Sequence, residues 1–283
     1  MEKLSYTGNK SYIVEKLIYN NEVTNTKVLS VKDVFLKRSV IIKEITYQNV
    51  AHKNQILKEI NNQVILESYT EYIPFIHNVF VNDKKQTISI EMSKVIGTSL
   101  RDLISQIDYS NKSSIPFDDL LFNYKRICST LSRLHKLKGF VHKDLKPENI
   151  IINSMRNAAY IIDFGTSGPG LGKGVGTVGY MSPEQNPRWG KYHVCQATDV
   201  FALGQIGIEM FTGKVLSIEK DLVFNPLPSE NKWKKDTNID EFINGLCPKL
   251  GTVLKKSIAM DPQERYPNAT VLYSALKSIK SRK

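Results

Sequence analysis

"FVHKDLKPENIIINSMRNAAYIIDFG", residues 140–165, carries the densest chemistry in the chain. Two short apolar runs, 150–152 and 160–162, read as strands. A hairpin of the two would bring Asp144, Asn149 and Asp163 to one edge. Asn149 and Asp163 would then offer oxygens to a hard cation such as Mg²⁺. Asp144 would stay free to accept a proton from a hydroxyl. Lys146, two residues further on, could reach a phosphate as a point charge. Positioning and charge neutralisation are most of what phosphoryl transfer asks of a protein.

Upstream, the chain reads mostly as strands. "YIVEKLIY", "KVLSVKDVFL" and "SVIIKEI" are short runs rich in Val, Ile and Tyr. Residues 53–68 have helical spacing, with Ile56, Ile60, Val64 and Ile65 in register. Two more strands fall near "YIPFIHNVF" and "QTISIEM". From Ser93 onward the periodicity turns helical. "DDLLFNYKRICSTLSRLHKL" places Leu120, Leu121, Tyr124, Ile127, Cys128, Leu131 and Leu134 along one face. "TDVFALGQIGIEMF" is apolar on nearly all sides and predicts a helix buried at the centre of a helical lobe. The expected plan is α+β and bilobal, one domain over 12–278, with a β-rich lobe of about residues 1–92 and an α-helical lobe of about 93–283.

The motifs resemble those of eukaryotic-like Ser/Thr protein kinases. "HKDLKPEN" resembles the catalytic loop and "DFG" the metal-binding turn. "GTVGYMSPE" (176–184), "DVFALG" (199–204) and "DPQER" (261–265) follow in the family's order. The resemblance implies an ATP-dependent enzyme with Mg²⁺ as cofactor and a protein Ser/Thr hydroxyl as acceptor. It makes Asp144 the base, Lys146 the charge stabiliser and Thr177 their contact. Asn149 and Asp163 become the metal ligands. "VIIK" resembles the strand motif whose lysine, here Lys43, holds the α- and β-phosphates. Glu59 is its expected helical partner, with Glu67 as fallback. "ISIEMS" (88–93) resembles the hinge, with Ile90 as gatekeeper and Glu91 to Ser93 offering backbone groups to adenine. The resemblance also implies a packed His142, an Asp199 that anchors the catalytic loop, and an ion pair of Arg265 with Glu184.

Three departures stand out. No glycine occurs between Gly8 and Gly97. With Val28 fifteen residues before Lys43, Asn21, Val23 and Thr26 take the three places where the family has phosphate-covering glycines. A looser phosphate cover is expected, and Val23→Gly with Thr26→Gly should tighten ATP binding. Ile41 stands where alanine usually faces adenine. Finally, Lys143 replaces the arginine that pairs with an activation-loop phosphate, and glycines alternate from Gly168 to Gly176 with no Ser, Thr or Tyr among them. Control by a partner protein or a dimer is expected, and any phosphosite falls at Thr166, Ser167 or Thr177. The alternative reading is a pseudokinase-like scaffold with weak ATP use.

Composition sets looser bounds. The net charge of +11 comes from lysines spread along 283 residues, so nucleic-acid binding is not expected. No apolar run reaches the eighteen or so residues of a membrane span, and the N-terminus lacks the apolar core of a signal peptide. Cys128, Cys195 and Cys247 form no paired framework, which favours a reducing, cytoplasmic setting.

Overall fold

The computed structural model describes residues 3–6, 10–110, 115–168, 176–186, 192–215 and 247–280. Gly170, Gly172 and Gly174 of the glycine-rich stretch lie outside these residues. The chain divides into two compact units, Met1–Ile96 and Gly97–Lys283.

The first unit is an antiparallel six-stranded sheet with one helix. Its strands are β1 (Lys3–Tyr6), β2 (Lys10–Asn21), β3 (Thr26–Asp33), β4 (Ser39–Thr46), β5 (Ile76–Asn82) and β6 (Thr87–Ser93), in the order β1-β2-β3-β4-β6-β5. Period-2 alternation splits β4 between two faces. Val40 and Ile42 join Tyr12, Leu29 and Val31 in one core. Ile45 falls on the other face and packs beside Ile88 and Ile90. The helix α1 (Val50–Leu66) covers that second face with Ile56 and Ile60. Asn49 caps α1, its side chain accepting the His52 N–H at 2.9 Å. The strand β1 is an addition to the expected set. It pairs with the start of β2, and its Leu4 packs with Val14 against the core built on Tyr12.

The second unit holds α2 (Leu100–Ser105), α3 (Phe117–Leu134), α4 (Gln196–Thr212), α5 (Pro248–Ser257) and α6 (Ala269–Lys277). A small sheet of β7 (Thr98–Ser99), β8 (Ile150–Asn153) and β9 (Ala158–Ile161) joins them. Every residue of α4 from Ala197 to Thr212 is buried, as an all-round apolar helix must be. Its glycines admit neighbours: a Cβ on Gly207 would lie 2.5 Å from Leu254 Cδ2 and 2.8 Å from Tyr124 Cζ. Among the described residues, no helix is long and apolar enough to cross a membrane.

Candidate active site

The β8–β9 hairpin builds the edge on which the polar residues converge. Ile150 pairs with Ile161, and the Ile162 N–H donates to the Asn149 carbonyl at 2.8 Å. Asn149 closes the 3-10 turn Pro147–Asn149 at the mouth of β8, while Asp163 follows two residues after β9. The two therefore stand across the open end of one hairpin. Asn149 Nδ2 donates to the Asp144 carbonyl at 3.0 Å, which leaves its amide oxygen as an acceptor. Asp163 is exposed and holds a left-handed backbone with φ of 64°. Lys143, just before Asp144, is left-handed too, at 72°. Non-glycine residues in this region cost energy that the surroundings must offset, and they cluster at functional sites. One carboxylate and one amide oxygen on a shared edge are the hard donor set that a divalent cation of the Mg²⁺ type takes.

Asp144, Lys146 and Thr177 form a closed triangle. The Thr177 hydroxyl donates to Asp144 Oδ1 at 2.6 Å. Lys146 Nζ lies 3.0 Å from Asp144 Oδ2 and donates to Thr177 Oγ1 at 2.9 Å. Both charged side chains keep partial access to solvent. The arrangement combines a carboxylate that can accept a proton with an ammonium group that can meet an anion.

Buried polar residues hold this loop in place. The Asp199 carboxylate accepts the N–H of His142 at 2.7 Å and of Lys143 at 2.9 Å. His135 adds a third donor. Its Nδ1 accepts the Ala269 N–H, so Nε2 carries the proton that meets Asp199 Oδ2 at 3.0 Å. His142 is fully buried, its ring 5.2 Å from that of Phe164. Burial holds its pKa below the ordinary value, with the carboxylates of Asp199, Asp144 and Asp163 pulling the other way. Arg265 grips Glu184 with two bonds of 2.7 and 2.9 Å in a site closed to water. Gln185 donates to the Lys143 carbonyl at 2.7 Å. Gly176 approaches the same carbonyl with φ of 134°, where a Cβ would lie 3.2 Å away. The hydroxyls of Thr166, Ser167 and Thr177 all donate to internal acceptors: the His142 carbonyl, the Phe164 carbonyl and Asp144.

The first unit groups the other expected residues by face. Val28 pairs with Lys43, and Lys43 with Ile90; Ser30 pairs with Ile41, and Ile41 with Met92. Val28, Ile41 and Lys43 therefore share the face that α1 covers. Glu59 lies half-buried on α1, one residue before the core contact Ile60, and accepts from Gln55 Nε2 at 3.1 Å. Glu67 instead takes the Ile76 N–H at 2.7 Å.

The expected hinge is displaced. Glu91 sits between Ile42 on one side and Asn78 on the other, so its peptide groups belong to the ladder. Its buried carboxylate meets Lys10 Nζ at 2.8 Å and Asn78 Nδ2 at 2.5 Å on the far face. The Ser93 N–H is committed to the Phe75 carbonyl at 2.8 Å. Ile90 packs under α1 with Ile56 and Ile60. The Glu91 peptide and the Ser93 amide are thus committed within the first unit, and backbone outside regular structure begins at Lys94.

The turn 22–25 joins β2 to β3 within the stretch expected to cover phosphate, and its left-handed residue is Asn25, at 47°. Val23 and Thr26 keep negative φ, so their β-branches meet no backbone penalty.

One cluster escaped the sequence reading. Arg101, from α2, bonds Glu148 at 2.7 Å, the Tyr180 hydroxyl at 2.6 Å and Glu209. Tyr180 in turn donates to Glu209 at 2.5 Å. The available signal was Glu209, a carboxylate within the apolar run 206–211 of a buried helix.

Comparison with known proteins agrees with this geometry. The protein kinase domain family matches residues 24–275. The chain is 27% identical to a Synechocystis protein, serine/threonine-protein kinase D, over 96% of its own length and 47% of that relative. It is 30% identical to serine/threonine-protein kinase PknD of Mycobacterium tuberculosis over 64% of the chain and 26% of the relative. It is 25% identical to serine/threonine-protein kinase PrkC of Bacillus subtilis over 87% of the chain and 37% of the relative. The chain thus spans less than half the length of these relatives. It belongs to the eukaryotic-like Ser/Thr protein kinase family.

Proposed function

We propose that this chain transfers the γ-phosphoryl group of Mg-ATP to Ser or Thr hydroxyls of proteins. The observation that carries the reading is the triangle of Asp144, Lys146 and Thr177. Asp144 accepts the proton of the acceptor hydroxyl as the hydroxyl oxygen bonds to the γ-phosphorus and the bond to the ADP oxygen breaks. Lys146 offsets the charge gathering on the phosphoryl oxygens, and Thr177 fixes the Asp144 carboxylate. Asn149 and Asp163 would hold Mg²⁺, which supplies further charge neutralisation at the phosphates. Lys43 serves the α- and β-phosphates, with Glu59 orienting it. Val28, Ile41 and Met92 are assigned to the adenine faces, and the backbone of Lys94 and Val95 to its edge. A partner protein or a second copy is the proposed means of control.

Incubation with labelled Mg-ATP and a generic protein acceptor tests this reading. Phosphate should appear on Ser or Thr, and Asp144→Asn should lower kcat by about 10²-fold or more. Lys43→Ala should raise KM for ATP. Transfer that survives Asp144→Asn undiminished overturns the mechanism. The scaffold reading draws on the self-bonded turn at Asn21. Binding of Mg-ATP with no transfer to any acceptor would favour it.

A further inference from the structure

In the turn 22–25, the Asn21 side-chain oxygen accepts the backbone N–H of Val23 at 2.9 Å and of Thr24 at 3.1 Å. Asn21 Nδ2 donates to the Tyr19 hydroxyl at 2.7 Å, which orients the amide so that its oxygen faces the turn. Thr26 Oγ1 donates to the Thr24 carbonyl at 3.2 Å, and the Thr46 N–H donates to the Asn25 carbonyl at 3.0 Å. Consecutive amide N–H groups in a turn are the donors with which a backbone binds a phosphate. Here two of them already hold an oxygen, although the turn lies open to solvent and Val23 is 90% exposed.

We propose that Asn21 is an internal stand-in for a nucleotide phosphate: its carboxamide oxygen occupies the donors of the phosphate cover, and Mg-ATP binds by displacing it. This rests on the kinase reading above. Asn21 then determines how strongly this chain discriminates a triphosphate from a bare nucleoside. The phosphates of ATP gain two amide bonds only by breaking two others, so the phosphate chain adds little affinity through this turn. Glycines at positions 23 and 26 would leave the competing oxygen in place, which makes position 21 the one that controls affinity.

Calorimetric titration of Mg-ATP and of adenosine into the whole chain tests this. Adenosine lacks phosphate and serves as the internal reference. Asn21→Ala should lower Kd for Mg-ATP about tenfold, or about 1.4 kcal/mol, with Kd for adenosine unchanged. Asn21→Asp keeps an acceptor for both amides and adds a negative charge, so it should raise Kd for Mg-ATP about tenfold and again leave adenosine unmoved. Parallel shifts for both ligands would show a structural role and overturn the proposal, as would an unchanged Kd for Mg-ATP in Asn21→Ala. Should Asn21→Ala not fold, an unchanged Mg-ATP affinity in Asn21→Asp overturns it alone. Failure of every form to bind either ligand would remove the kinase reading and this proposal together. Transfer activity with no selective effect of the Asn21 changes removes this proposal alone.

Discussion

Thr177 lies between two charged groups and bonds both, so its removal separates charge from position. Thr177→Ala would leave Asp144 and Lys146 in contact at 3.0 Å but free the carboxylate to rotate. A drop in kcat of about tenfold is expected, with KM for ATP unmoved, whereas Thr177→Ser should retain most of the rate. Steady-state kinetics on the three forms decides it; equal rates in Thr177→Ala and the native chain would show that Thr177 does not hold the carboxylate in action. Arg265 poses the opposite case, a pair sealed from water. Arg265→Met would strand the Glu184 carboxylate in a site closed to solvent, still bonded by the Thr198 hydroxyl at 2.8 Å. Removing one partner of such a pair costs about 3–5 kcal/mol. Urea unfolding should show that loss, and a change below about 1 kcal/mol would mean that water reaches Glu184.

At the scale of elements, α4 sets helix propensity against packing. Gly207→Ala removes a helix-interior glycine, which by propensity alone should stabilise by about 1 kcal/mol. The added methyl group would press on Leu254 and on the buried ring of Tyr124, which is held by a bond to the Leu203 carbonyl at 3.0 Å. Overpacking costs about 1–3 kcal/mol, so the variant should be less stable on balance, and a raised urea midpoint would refute the packing argument. Apolar periodicity made α4 and α3 legible, because burial on every side or along one stripe leaves a pattern that no loop produces. The hairpin edge was legible as well, since the short strands on either side of residues 154–157 leave Asn149 and Asp163 one way to meet. The strand β1 was not, since the four residues KLSY acquire meaning only from pairing with β2. The hinge was misplaced for a related reason. "ISIEMS" alternates equally well in a register shifted by two, and the ladder of β6 with β4 and β5 decides between them. The cap at Asn21 rests on a side-chain rotamer and the Tyr19 hydroxyl, neither of which leaves a trace in residue order.

For the whole molecule, two histidines set how stability responds to mild acid. Burial pushes the His142 pKa below 6.5, against the pull of Asp199, Asp144 and Asp163. Burial does the same at His77, helped by Arg38 and Lys10 and opposed by Glu91. Each ring binds a proton more readily in the unfolded chain, where its pKa is about 6.5. Unfolding therefore takes up protons as pH falls below that value. The stabilisation is complete above about pH 6.5 and is lost beneath it, by at most about 1.4 kcal/mol per pH unit for each histidine. Burial pushes the Glu91 pKa up while the bonds from Lys10 and Asn78 pull it down, and the net shift is below 4.5. Its stabilising effect is present above about pH 4.5 and lost only in stronger acid. Across the range from pH 6.5 to 5 Glu67 works against the histidines, since burial raises its carboxyl above 4.5 and the folded chain takes up that proton more readily than the unfolded one. Melting temperatures measured between pH 7.5 and 5 should hold steady and then fall once the pH drops below about 6.5. His77→Gln should reduce the slope without abolishing it, and the remainder belongs to His142, whose two ring nitrogens are buried without hydrogen-bond partners. A melting temperature that stays flat to pH 5 with Glu67→Gln in place would mean that His142 takes up its proton inside the fold, with Asp199, Asp144 and Asp163 outweighing the cost of burial.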